Sequence, residues 1–134
     1  MTSIAIVEDH EVVGEWVAEW LREDDPTFII DLFPTRAAAE AGLAAKRYDL
    51  VMTNIDLGGG DETGGIKLIQ TLLDRGHLRP VIVFSGFDDG AYRDAVVDLY
   101  RDRGIAWDYY LLKPAGHDAM LALVRRALAD ATPS

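Results

Sequence analysis

Five short apolar runs punctuate the chain: Ile4–Val7, Phe28–Phe33, Leu50–Asn54, Pro80–Phe84 and Asp108–Leu112. Each is rich in branched or aromatic residues and bounded by charge, glycine or proline, which suits a strand buried on both faces. Between them lie segments with helical spacing. Strands and helices in strict alternation build a parallel sheet with helices on both sides, and right-handed crossovers restrict how that sheet can be wound. The predicted helices run from His10 to Glu23, from a Thr35 cap to about Lys46, from Gly64-Gly65 to Gly76, from Asp88 to about Arg103, and from His117 to Ala129. In the first, Val13, Trp16, Val17, Trp20 and Leu21 recur at three- and four-residue steps, so both tryptophans are expected in the core. Ala91, Ala95, Val96 and Leu99 are expected inward in the fourth helix, and Met120, Leu121, Val124 and Leu128 in the fifth. Asp31 interrupts the second run and marks that strand as an edge or its end.

The length of 134 residues suits one domain. Residues 1–130 are assigned to it, and residues 131–134 to a tail or the start of a linker. There is no cysteine, which excludes disulfides and thiolate metal sites. Ile4–Val7 meets Glu8-Asp9 at once and no apolar run approaches about 18 residues, so neither a signal peptide nor a membrane span is expected, and a cytoplasmic location is. The net charge is −10 and the basic residues are scattered singly or in pairs along the sequence. Such a field repels a phosphate backbone and argues against direct nucleic-acid binding.

In an open α/β sheet, ligands bind beyond the carboxyl ends of the strands. The chain places Glu8 and Asp9 after the first strand, Asn54 and Asp56 at the end of the third, Ser85 after the fourth and Lys113-Pro114 after the fifth. Acidic oxygen donors without cysteine or paired histidine suit Mg²⁺, which takes one or two carboxylates together with waters and phosphate oxygens. A lysine and a hydroxyl opposite could hold a phosphoryl group. Taken singly, Glu8-Asp9 reads as a helix cap, Ser85 as a turn residue and Lys113-Pro114 as a loop. The glycines at 58–60 and 64–65 do not form a P-loop, and His10, His77 and His117 lack paired ligand spacing.

The joint pattern resembles the receiver domain of bacterial response regulators over essentially the whole chain. The resemblance implies a flavodoxin-like (βα)5 fold with strand order 2-1-3-4-5 and a non-enzymatic role in two-component signalling. It implies Mg²⁺ ligands at Glu8, Asp9 and, two residues beyond the acceptor, Asp56, with the cation weak or optional here. Ser85 matches the family's hydroxyl position, Tyr110 its aromatic switch and Lys113-Pro114 its lysine followed by proline. Asn54 falls where the phospho-accepting aspartate belongs. Since an amide is not a carboxylate nucleophile, the chain is then either a naturally phosphorylation-independent receiver or a phospho-dead variant.

The implied partners are a sensor histidine kinase or other signalling protein, an output domain beyond Ser134, and a second copy through the face of helix 4, strand 5 and helix 5. Tyr92, Tyr100 and Trp107 are expected to add aromatic area to that face. His10 after the acidic pair resembles receivers that precede LuxR-type output domains. The competing reading is an enzyme: a glutamate after the first strand and Asn-x-Asp after the third loosely resemble the Mg²⁺ site of toprim-type phosphotransfer enzymes. That reading gives Ser85, Tyr110 and Lys113-Pro114 no role.

Overall fold

The computed structural model describes residues 2–77, 79–85, 90–112 and 116–131. The elements alternate as read: β1 (Ser3–Val7), α1 (Glu11–Asp24), β2 (Ile29–Phe33), α2 (Arg36–Ala45), β3 (Leu50–Asn54), α3 (Gly64–Asp74), β4 (Val81–Ser85), α4 (Gly90–Arg101), β5 (Tyr110–Leu112) and α5 (His117–Ala131). All strand pairs are parallel, in the order β2-β1-β3-β4-β5. This is the expected flavodoxin-like winding. β1, β3 and β4 are buried throughout, which is why their sequences are nearly all apolar, while Asp31 sits on the edge strand β2.

Alternating side chains divide the core in two. Ala5, Val7, Val51, Val81 and Val83 meet Ala39 of α2, Leu68, Ile69 and Leu72 of α3, and Val96 and Tyr100 of α4. On the other face, Ile4, Ile6, Leu50, Met52, Ile82 and Phe84 meet Val17, Ala18 and Leu21 of α1 and Met120, Leu121 and Val124 of α5. Local signals set the helix ends. Thr35 Oγ1 accepts from Ala38 N at 3.1 Å, as expected of the cap. At the end of α3, Gly76 (φ +79°) donates to Leu73 O and His77 N donates to Leu72 O at 2.8 Å, a Schellman closure that needs the left-handed conformation glycine tolerates.

Three expectations fail. Trp16 is 55% exposed, because the buried stripe of α1 is Gly14, Val17, Ala18 and Leu21. Small residues let that side approach the sheet; a Cβ on Gly14 would stand 3.7 Å from Glu8 Cβ. Spacing counted over large residues alone therefore misplaces the helix's inner face. Tyr100 and Trp107 are 1% and 6% exposed, so they do not add area to an outer face. Their rings stack with centroids 5.8 Å apart, and Trp107 Nε1 donates to Val81 O at 2.8 Å. In α4, Ala91 is exposed while Val96 is buried, and the predicted start at Asp88 lies outside the described residues.

Candidate functional site

Strand register brings the sequence-predicted residues to one edge. Phe33, Val7, Thr53, Val83 and Tyr110 form one row across the sheet, and Asn54 pairs with Phe84 in the next. Glu8 N donates to Phe33 O at 3.1 Å, extending the ladder by one residue and setting Glu8 beside Asn54. Both are nearly enclosed, at 4% and 9% exposure.

Their contact has a defined sense. Asn54 Oδ1 accepts from Ile55 N at 2.9 Å, so Nδ2 is turned to Glu8, and it donates to Glu8 Oε1 at 3.3 Å. The same carboxylate oxygen accepts from His10 N at 3.2 Å, just before α1 begins. A buried carboxylate without donors is costly, and these two N–H groups lower that cost.

Asp9 lies alongside, its Oδ1 buried without a hydrogen-bond partner among the described residues. Ligand atoms of Glu8, Asp9 and His10 fall within 4.8 Å of one another. The role of His10 here was not foreseen; it follows from the chain's turn into α1. Asp56 is half-buried just past β3, where its Oδ1 accepts from Gly58 N at 2.9 Å. Glu8 and Asp9 are hard oxygen donors, and the unpartnered Asp9 oxygen is what a cation would satisfy, so this pair fits Mg²⁺. The Asp56 side chain is instead turned to the glycine loop.

That loop is held from both sides. Gly58, Gly59 and Gly60 all have positive φ, and a Cβ on Gly58 would stand 2.7 Å from Asp9 Oδ2. Arg36 of α2 bonds Asp61 through Nε at 2.9 Å and Lys67 approaches the same carboxylate at 3.5 Å. The Arg36 hydrogen bond holds the Asp61 carboxyl below the ordinary range. No spacing rule foretells this staple, since the partners lie 25 residues apart. Below it, Gly65 N donates to Ile55 O at 2.8 Å, and a Cβ on Gly65 would lie 2.0 Å from Asn54 O. Only glycine lets α3 start this close to β3.

Ser85 is fully buried at the end of β4. Tyr110 on β5 is half-buried and packs on the core face that holds Val81 and Val83, the residues sharing parity with Ser85. Lys113 and Pro114 lie outside the described residues.

A family profile described as the response regulator receiver domain matches residues 4–125. No curated protein matches the chain in sequence. Among solved structures, the BeF3-activated N-terminal receiver domain of Klebsiella pneumoniae RstA is 27% identical, with a TM-score of 0.77 over 95% of this chain and 98% of that one. A two-component response regulator from Clostridium difficile is 21% identical, with a TM-score of 0.81 over 99% and 100%. The beryllofluoride-activated NtrC4 receiver domain dimer is 17% identical, with a TM-score of 0.82 over 98% and 100%.

Proposed function

This chain belongs to the response regulator receiver domain family, and from that premise we propose that it signals without phosphorylation at residue 54, through protein contacts. The observation that carries the reading is the Asn54 Nδ2 to Glu8 Oε1 hydrogen bond at 3.3 Å. Asn54 sits where the family's acceptor aspartate belongs, and its amide lacks the anionic oxygen needed to attack phosphorus. The amide also supplies the Glu8 carboxylate with a donor, a share of the role a cation plays between two carboxylates. Both origins considered for Asn54, a natural receiver or a phospho-dead variant, give this chemistry.

Mg²⁺ remains compatible with the pocket but is optional. Glu8 and Asp9 would hold it, the Asp56 side chain being engaged with Gly58 N, and bound Mg²⁺ would neutralise the acidic cluster. With one Glu8 oxygen already accepting two hydrogen bonds, its affinity is expected to be weak. Ser85, Tyr110 and Lys113-Pro114 are assigned to the phosphate-site and switch positions. Two side-chain arrangements at Ser85 and Tyr110 would couple the pocket to α4, β5 and α5. That face is assigned to a second copy or a signalling partner such as a sensor kinase, in keeping with NtrC4, whose receiver is a dimer. Family membership leaves no observation favouring the toprim-like enzyme.

Intact-mass analysis after incubation with acetyl phosphate and Mg²⁺ tests the reading. The protein should gain no phosphate, and Asn54→Asp should gain one. A stoichiometric adduct on the unaltered protein would overturn it.

A further inference from the structure

At the opposite edge of the sheet, where the strands begin, the fold gathers charges that are scattered in the sequence. A cavity of about 330 Å³ opens between the carboxyl ends of α2 and α3 and is lined by Lys46, Arg47, Arg75, His77 and Arg79. No carboxylate lines it, in a chain of net charge −10. The rest of its wall is Leu43, Leu72 and the alanines at the end of α2, together with Tyr48 and Gly76.

We infer that this cavity binds a small phosphorylated molecule with an apolar or aromatic body, of nucleoside diphosphate size. Its volume falls within the range of small-molecule sites, and an apolar wall with a few convergent polar groups is their usual composition. Guanidinium groups match phosphate oxygens through paired N–H donors.

The local acids leave these cations incompletely compensated. Arg79 pairs with Asp49 at 3.3 Å and Lys46 with Asp31 at 3.3 Å. Arg75 spends one N–H on the Glu40 carbonyl, at 2.9 Å, and neither it nor Arg47 has a carboxylate partner among the described residues. The two helix ends contribute only about −0.5 charge each. His77 stands among the cations, half-buried, its Nδ1 enclosed without a partner among the described residues. Burial first, then Arg79 and Arg47, holds its imidazole below the usual range.

The site lies across the sheet from Asn54 and stands independently of the function proposed there. The test uses the whole protein and two probes, ADP and inorganic phosphate, followed by ¹⁵N-¹H NMR. ADP should give saturable shifts confined to residues 43–48 and 72–79, raise the His77 pKa, and bind at least tenfold tighter than inorganic phosphate. Arg47→Gln with Arg75→Gln, both at exposed positions, should weaken ADP at least tenfold while circular dichroism shows an unchanged fold. Shifts that fail to saturate, that spread over the surface, or that persist unchanged in the double variant would each overturn the assignment.

Discussion

Tyr100 is 1% exposed, and its hydroxyl has no partner among the described residues. An unsatisfied buried polar group costs about 1–3 kcal/mol, so Tyr100→Phe should keep the stack on Trp107 and stabilise the protein by about 1 kcal/mol. Urea melts of both forms check this, and a loss of stability would show that the hydroxyl is satisfied. Tyr48 is the contrasting case, donating to Asp31 Oδ2 at 2.5 Å. That hydrogen bond, then the nearby Lys46, holds the Asp31 carboxyl low, while burial and Asp31 push the Tyr48 phenol up. A lowered carboxyl contributes stability that is present above pH ~4 and lost as pH falls through its folded value. A raised phenol contributes stability that is present below pH ~10 and lost as pH climbs past it. The stability difference between the protein and Tyr48→Phe should therefore be flat from about pH 5 to 9 and shrink at both ends. At this scale the sequence reveals Asn54 and Glu8 as candidates. It does not reveal their hydrogen bond, because the sense of the amide depends on Ile55 N, a backbone group at the end of β3.

The glycines at the starts and middles of helices act on whole elements. A Cβ on Gly65 would meet the Asn54 carbonyl oxygen at 2.0 Å, and backbone held by Thr53 Oγ1 at 2.9 Å cannot yield cheaply. A Cβ on Gly42 would meet the Phe33 ring at 2.4 Å, but a ring can turn, and alanine favours the helix by up to ~1 kcal/mol. Gly65→Ala should accordingly cost more than about 2 kcal/mol and disturb the α3 start, while Gly42→Ala should change stability by less than about 1 kcal/mol. Chemical denaturation ranks the two, and the reverse order would contradict the packing described. A similar contrast separates the tryptophans. Trp16→Ser should cost less than about 1 kcal/mol, and Trp107→Leu about 2–4 kcal/mol through its lost stack and hydrogen bond. The order and types of all ten elements were legible, because parallel strands and the helices between them carry strong local patterns. The inward face of α1 was not, because Gly14 and Ala18 pack closest while contributing least to an apolar stripe.

Over the whole molecule, order β2-β1-β3-β4-β5 turns residues distant in sequence into neighbours at two opposite edges. The acidic edge could be anticipated, since each of its residues ends a strand. The basic cavity could not, since its cations come from loops whose approach depends on how α2 and α3 pack. No helix among the described residues is long and apolar enough to cross a membrane. The pocket's charge state should in turn be felt by the entire fold. Asn54→Asp would replace an amide donor 3.3 Å from Glu8 Oε1 with a second carboxylate beside Asp9. Two unit charges about 4 Å apart repel by roughly 4 kcal/mol at an effective dielectric near 20. Cation binding to the native state would offset this by mass action. The most direct measurement is thermal melting of the protein and Asn54→Asp, each in EDTA and in excess Mg²⁺. The account predicts that Asn54→Asp melts lower in EDTA and gains markedly more from Mg²⁺ than the unaltered protein does. Equal melting temperatures in EDTA together with equal Mg²⁺ responses would contradict it, showing that Asn54, Glu8 and Asp9 do not share one electrostatic site.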